Sequence, residues 1–215
     1  MKNKIKYFII LLALSFLYSC NSEESDLVQQ TSNFYALTVG NSWEYKYYLR
    51  DNATNNFLPT QVTETVEITE TIVLNNKTYY NFKHVINGND GNYSSLSTNG
   101  ERNYFLRDSL GFLINDMGQI KYNNSNNNEY LVDQITDQLS YYLKLSNTDN
   151  NIVTNAGSFV CYDNQYYLKD INGNLSNSLD HIYRENGKGE ILSTMSFASQ
   201  NEPFAEKRLE SYSIQ

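Results

Sequence analysis

Hydrophobic and polar residues alternate along much of this chain with the period of two that is typical of β-strands. In the clearest stretch, the odd-numbered positions are apolar, and charged residues occur at even-numbered positions. The apolar residues are Trp43, Tyr45, Tyr47 and Leu49, and the charged residues are Glu44, Lys46 and Arg50. Because successive side chains of a strand point to opposite faces of a sheet, this stretch predicts a strand with one buried face.

Ten further segments rich in Val, Ile, Thr or Tyr predict the remaining strands. They are residues 61–74, 78–86, 104–106, 110–115, 119–122, 139–145, 158–168, 182–184, 190–197 and 208–214. Glu64 and Glu70 share the parity of the apolar residues around them, which predicts a β-bulge or an exposed strand end. Residues 129–139 fit either a strand or a short helix, since Leu131, Ile135 and Leu139 are spaced by four.

Four Asn-Gly pairs separate these segments, at residues 87–88, 99–100, 172–173 and 186–187. Asn and Gly both tolerate the positive φ angles that two-residue hairpin turns require. Helix-length periodic segments are nearly absent. The sequence therefore predicts an all-β, mainly antiparallel domain, a curved meander sheet that forms an open or partly closed barrel with at most one or two short helices.

The first 19 residues are organised like a secretory signal peptide. Lys2, Lys4 and Lys6 precede an apolar run over residues 7–18, which is shorter than the roughly 20 residues that a membrane-spanning helix needs. The run ends in LYSC at residues 17–20, which resembles the lipobox of bacterial lipoproteins. The resemblance implies that Cys20 carries acyl chains that anchor the protein to a membrane.

The residues after the cysteine predict where the protein is delivered. Ser22, Glu23 and Glu24 resemble the acidic export tag that directs Bacteroidetes-type lipoproteins to the surface of the outer membrane. A plain acidic tether is the alternative, and it would leave the protein on the periplasmic face. We therefore divide the chain into a signal peptide (residues 1–19), a lipidated cysteine with a flexible tether (20–33) and one β-rich domain (34–215).

Composition excludes some classes of partner. Removing residues 1–19 takes away three of the 16 Lys and Arg residues and none of the 24 Asp and Glu residues, leaving a formal net charge of −11. Such a chain repels nucleic acid and anionic headgroups. With Cys20 lipidated, Cys161 has no intramolecular partner, so the fold must form without a disulfide.

The predicted β domain opens with FYALTVGNSWEY, and two later segments read AGSF (residues 156–159) and YRENGKGEI (183–191). The opening resembles the F-x-x-L-x-x-G-x-x-W-x-Y start of a broad group of uncharacterised exported lipoproteins, and the later segments resemble the same group. The resemblance implies a curved antiparallel sheet and supplies no activity or catalytic residues. The matching positions are Phe34, Leu37, Gly40, Trp43, Tyr45, Gly157, Phe159, Gly187 and Gly189.

Few residues suggest chemistry. His84 alternates in step with apolar neighbours, so we expect it to be a partly buried residue within a strand. His181 is expected beside a loop. Cys161 lies within a predicted strand and has no neighbouring charge to lower its pKa. No hydrolase, metalloprotease, nucleotide or dinucleotide motif is present, so no catalytic residue, metal or cofactor is predicted. A catalytic pair of carboxylates, as in glycosidases, is the alternative that the sequence leaves open.

Tyrosine is abundant, with 19 residues. Adjacent pairs at residues 47–48, 79–80, 141–142 and 166–167 place one ring on each face of the sheet, where the outer rings either cover neighbouring strands or bind a glycan or a partner. Three hypotheses follow: a non-enzymatic binding or accessory module of the cell envelope, a carrier of lipid or another apolar ligand with a half-barrel cavity, and a carboxylate-dependent hydrolase. The candidate partners are an envelope protein, a glycan or a lipid.

Overall fold

The alternating stretch around Trp43 forms the first of twelve strands in the computed structural model, which describes residues 33–215. The predictions for Cys20, Ser22, Glu23 and Glu24 lie outside the described residues. The strands are β1 (Ser42–Arg50), β2 (Phe57–Leu74), β3 (Lys77–Asn87), β4 (Gly100–Ser109), β5 (Phe112–Asn115), β6 (Ile120–Asn123), β7 (Glu129–Thr136), β8 (Leu139–Thr154), β9 (Gly157–Asp170), β10 (Leu175–Glu185), β11 (Gly189–Met195) and β12 (Ala205–Ser213).

All twelve strands belong to one sheet, in the order β6-β5-β4-β3-β2-β1-β12-β11-β10-β9-β8-β7. Two antiparallel meanders, β1–β6 and β7–β12, are joined at the centre of the sheet by the pairing of β1 with β12. The predicted all-β antiparallel meander is confirmed. Strands β6 and β7 are left as the two edges.

Side chains join the edge strand β6 to β9, the third strand from the opposite edge of the sheet. The backbone N–H of Asn123 on β6 donates to Oδ1 of Asn164 on β9 at 2.8 Å, and Nδ2 of Asn164 donates to the Asn123 carbonyl at 2.8 Å. The hydroxyl of Tyr122 also donates to the carbonyl of Tyr162 at 2.6 Å. These bonds satisfy backbone groups of the edge strand β6. They hold the sheet as a partly closed barrel.

Two of the four predicted Asn-Gly pairs lie in hairpin turns, and the two-residue turns of the sheet have other sequences. Two-residue turns with two positive φ angles occur at Asn75-Asn76 and at Leu110-Gly111. The pairs at residues 172–173 and 186–187 lie in longer hairpin loops, and those at 87–88 and 99–100 flank the β3–β4 connection. Gly88 is required for another reason: a Cβ atom there would lie 2.2 Å from the carbonyl oxygen of Gln61.

Several strands differ in extent from their predictions. Residues 129–136 form strand β7, so the helical alternative for this segment is wrong, and no helix occurs among residues 33–215. Strand β8 continues to Thr154, well beyond the predicted end at residue 145, because it pairs with β9 along its length. The added part is rich in Asn and Asp, whose low β-propensity conceals the strand.

The main core lies on the face of the sheet that carries Trp43 and Tyr45. The indole of Trp43 stacks on Phe82, with 6.2 Å between the ring centroids. The buried members of this core are Ala36, Trp43, Tyr45, Val66, Ile68, Phe82, Phe159, Cys161, Ile191 and Leu209.

Within residues 33–215, no helix is long and apolar enough to span a membrane.

Candidate functional site

Five ionisable side chains from five strands meet beside this core. We call them the charge cluster: Glu64 on β2, His84 on β3, Arg184 on β10, Glu190 on β11 and Lys207 on β12. The Lys207 ammonium lies 3.0 Å from Oε1 of Glu190 and 3.4 Å from Oε2 of Glu64. Nδ1 of His84 lies 2.5 Å from Oε1 of Glu64, and the Arg184 guanidinium lies 3.5 Å from Oε2 of Glu190.

Glu64 was expected at a bulge or an exposed strand end, and the second expectation is wrong. The prediction holds for Glu70, which is exposed and lies where the pairing of β2 with β3 shifts register after Ile68. Glu64 itself is only 4% exposed and accepts a hydrogen bond of 2.7 Å from the Tyr47 hydroxyl. The Glu64 side chain points to the same face of the sheet as its apolar neighbours because a cation, Lys207, meets it there. Lys207 likewise points to the face that carries the apolar residues of β12.

The cluster holds both carboxylates in their ionised form. Burial of Glu64 acts to raise its pKa, but the Lys207 ammonium and the hydrogen bond with His84 outweigh burial and keep the pKa well below its usual 4.5. The pKa of Glu190 is lowered in the same way, with Lys207 and Arg184 outweighing burial. A glycosidase-like pair needs one carboxyl group with a raised pKa. These two carboxylates lack that property.

A small cavity of about 70 Å³ adjoins the charge cluster. Aromatic and aliphatic side chains, including Trp43, Phe82 and Leu106, line it together with His84, Arg184 and Lys207. A space of this size holds a few water molecules, whereas pockets for small-molecule ligands typically measure about 300–1,000 Å³. The side chains of the protein therefore fill this part of the interior.

An open groove of about 620 Å³ lies at one end of the sheet. The β1–β2, β3–β4 and β11–β12 connections meet β10 there. We call it the polar groove, because amide and hydroxyl side chains make up much of its lining. These are Asn52, Asn55, Ser95, Asn177, Ser199, Gln200 and Asn201.

An aromatic pair and an ion pair shape the polar groove. Phe197 and Phe204 stack with 4.2 Å between their centroids and 17° between their planes, and Phe197 remains 46% exposed. Nη1 of Arg50 lies 2.9 Å from Oε2 of Glu202, and Nη2 donates to Oδ1 of Asn55 at 3.2 Å. The groove thus offers an exposed ring beside a set of planar hydrogen-bonding groups.

A second pocket, of about 440 Å³, lies on the face of β8 and β9 that carries Tyr142 and Tyr167. We call it the tyrosine–lysine pocket. The two rings are directly opposite on neighbouring strands and stack at 6.4 Å, and the Lys169 ammonium lies 4.9 Å from the Tyr142 centroid. Asn177 lines both this pocket and the polar groove.

The other residues considered for chemistry have structural surroundings. His181 lies within β10 rather than beside a loop, and its Nδ1 is 3.0 Å from the Asp163 carboxylate, which also accepts a bond from Ser146 at 2.8 Å. Burial raises the pKa of the Cys161 thiol to about 12, so it is not a nucleophile near neutral pH. Among residues 33–215, no group of three or more His, Cys, Asp or Glu residues is placed to hold a metal ion.

The structure brings together motif positions that are distant in the sequence. The N–H of Gly187 donates to the Phe34 carbonyl at 3.0 Å, and the Tyr45 hydroxyl donates to the Glu190 carbonyl at 3.0 Å. The N–H of Gly40 donates to the Ile68 carbonyl at 2.8 Å. The remaining motif residues lie in or against the same core: Leu37, Trp43 and Phe159 within its packing, Gly157 beside Phe159, and Gly189 against Trp43.

No protein-family model and no curated protein matches this chain. A solved structure from Bacteroides fragilis NCTC 9343, named as an exported protein with a YmcC-like fold, matches with a TM-score of 0.53 and 10% identity, over 85% of this chain and 99% of that one. A structure named as a lipoprotein, from Parabacteroides distasonis ATCC 8503, matches with a TM-score of 0.47 and 12% identity over the same shares of the two chains. The first likeness shows that this chain has a YmcC-like fold.

Proposed function

We propose that this protein is a lipid-anchored protein of the cell envelope that binds a saccharide in the polar groove without converting it chemically. The observation that carries the proposal is the exposed Phe197 ring, stacked on Phe204 and surrounded by amide and hydroxyl side chains. A sugar ring has an apolar face of C–H groups and a rim of hydroxyl groups. An aromatic face with planar amide groups at its edge complements both.

Two features favour binding over the other hypotheses. The ionised state of Glu64 and Glu190 argues against a carboxylate-dependent hydrolase that uses this pair, because neither group carries a proton to donate. The cavity of about 70 Å³ beside the charge cluster argues against an apolar carrier that uses this part of the interior. The polar groove is open and large enough for a ligand.

The proposed location rests on the N-terminal sequence. Cys20 would carry the acyl chains, and Ser22, Glu23 and Glu24 would direct the protein to the surface of the outer membrane. The name of the B. fragilis structure as an exported protein is in line with this proposal. On intact cells, added protease should degrade the wild-type protein and spare a variant with both Glu23→Ala and Glu24→Ala. Protection of the wild-type protein would contradict surface exposure.

Binding can be tested on a glycan array with the mature protein in detergent. We expect the wild-type protein to bind at least one saccharide, and Phe197→Ala to abolish that binding while the protein stays folded. Tyr104→Ala is the matched control, since Tyr104 is 47% exposed and lies outside the groove, compared with 46% for Phe197. The proposal fails if the wild-type protein binds no glycan or if Phe197→Ala binds as well as the wild type.

A further inference from the structure

The polar groove and the tyrosine–lysine pocket meet at one residue. Asn177 lines both, and it lies where the pairing of β10 with β9 shifts register between Leu175 and Leu179. Such an irregularity interrupts the regular pairing of a strand with its neighbour. Two pockets of about 620 Å³ and 440 Å³ thus adjoin on the surface.

The tyrosine–lysine pocket has a different chemistry from the groove. The Tyr167 hydroxyl donates to Oε2 of Glu129 at 2.5 Å, and the Lys169 ammonium lies 2.6 Å from the same carboxylate. Burial acts to raise the pKa of Glu129, but the hydrogen bonds from Lys169 and Tyr167 outweigh it and lower the pKa. Glu129 is therefore ionised, and its charge is balanced by Lys169.

A second lysine leaves the pocket with an excess of positive charge. Lys144 lies directly opposite Glu129 on the neighbouring strand, and it is exposed. Two lysines and one glutamate thus line the pocket, in a chain whose formal net charge is −8. The hydroxyl groups of Ser176 and Ser178 line the same pocket, 3.0 Å from each other. A ligand group with a negative charge and hydroxyls complements this surface.

We infer that the two pockets form one extended site for an acidic oligosaccharide, with neutral units in the polar groove and a carboxylate- or sulfate-bearing unit in the tyrosine–lysine pocket. This inference rests on the proposed function and adds the class of saccharide. The continuity at Asn177 accounts for the length of the ligand. The lysine excess accounts for its charge.

The test is a glycan array on which each saccharide is printed as a length series, and each neutral series is paired with one that carries a terminal acidic unit. The mature wild-type protein in detergent should bind the longer acidic members about tenfold more tightly than their neutral partners, which corresponds to about 1.4 kcal/mol. Lys144→Gln should remove that difference and leave binding of the neutral members unchanged. Lys77→Gln is the control, because Lys77 is an exposed lysine in the β2–β3 hairpin and does not line either pocket.

Each outcome is distinguishable. If acidic and neutral members bind equally, or if Lys144→Gln and Lys77→Gln weaken binding of the acidic members to the same degree, the inference is overturned. In that case the proposed function still stands, provided that Phe197→Ala abolishes binding. If no glycan binds to the wild-type protein, both the inference and the proposed function fall.

Discussion

The α-carbon of Gly189 on β11 packs against the indole ring of Trp43 on β1. A Cβ atom on residue 189 would lie 2.8 Å from Nε1 of the ring, and the φ angle of Gly189 is +94°. The same indole donates its N–H to the carbonyl of Lys188 and stacks on Phe82. Glycine at position 189 thus permits both the close approach of the ring and the backbone conformation beside it.

Replacing this glycine should destabilise the fold strongly. We expect Gly189→Ala to lower the free energy of unfolding by about 2–4 kcal/mol, because the new methyl group meets the indole and an L-residue is strained at this φ. Urea denaturation of residues 21–215 measures the loss. Gly118→Ala is the control, since Gly118 has a φ of +82° but no atom within 4 Å of the added Cβ. Equal losses in the two variants would show that the contact with Trp43 has no energetic role.

Removing Lys207 should leave two buried carboxylates without their shared cation. The Lys207 side chain is only 13% exposed, and we expect Lys207→Met to cost about 3–5 kcal/mol at pH 7. Lys83→Met is the control, because the Lys83–Glu101 pair is exposed on both sides and screened by solvent. Chemical denaturation at pH 7 compares the two variants. A similar small effect for both would contradict the structural importance of the charge cluster.

Stability should fall as the solution is acidified. The pKa values of Glu64 and Glu190 are lower in the folded chain than the usual 4.5, so the unfolded chain binds more protons as the pH falls. Their stabilisation is therefore complete above about pH 5 and is lost progressively as the pH falls below the unfolded-state pKa and through the lowered folded-state pKa values. Denaturation curves across this range should give a smaller pH dependence for Glu64→Gln than for the wild type. An identical pH dependence would exclude Glu64 as a source of the effect.

Cys161 should be unreactive in the folded protein. It is fully buried, and burial raises the pKa of its thiol to about 12. In residues 21–215 it is the single cysteine, so a thiol reagent added at pH 7 should give no labelled protein by mass spectrometry until a denaturant is added. Rapid labelling of the native protein would show that β9 opens or that the thiol is accessible.

Membrane attachment should depend on Cys20. Cys20→Ala should yield protein that is unprocessed or released into the soluble fraction, because acyl chains contribute about 0.8 kcal/mol per buried methylene to membrane binding. Cell fractionation and metabolic labelling with a fatty acid measure the change. A processed variant that stays in the membrane would refute the lipid anchor.

Local patterns predicted much of the strand content. The alternation at Trp43, Tyr45 and Tyr47 predicted β1, since one buried face imposes a period of two on any strand. Turns were predicted less well: Asn75-Asn76 reverses the chain without a glycine, because asparagine itself tolerates a positive φ. Residues 146–154 of β8 were not predicted as strand because most of them are polar. Pairing with β9 is what stabilises this part of the strand.

The candidate sites were largely hidden from sequence analysis. One signal was present: Glu64 and Lys207 each alternate in step with the apolar residues of their strand. Burying a charged side chain on that face costs free energy unless an opposite charge meets it there. The polar groove gave no such signal, because its residues come from connections far apart in the chain. Nothing in the local sequence indicates that Phe197, Arg50 and Asn177 surround one space.

The sequence by itself determined that the chain forms antiparallel strands and resembles an exported lipoprotein, because alternation and the N-terminal segment are local properties. Only the tertiary structure decided that β1 pairs with β12, that Glu64 meets Lys207, and that Asn177 joins two pockets. Each of these depends on which strands become neighbours. Which strands become neighbours is decided by the packing and pairing of all strands in the sheet. The free energy of these contacts cannot be read from any single segment.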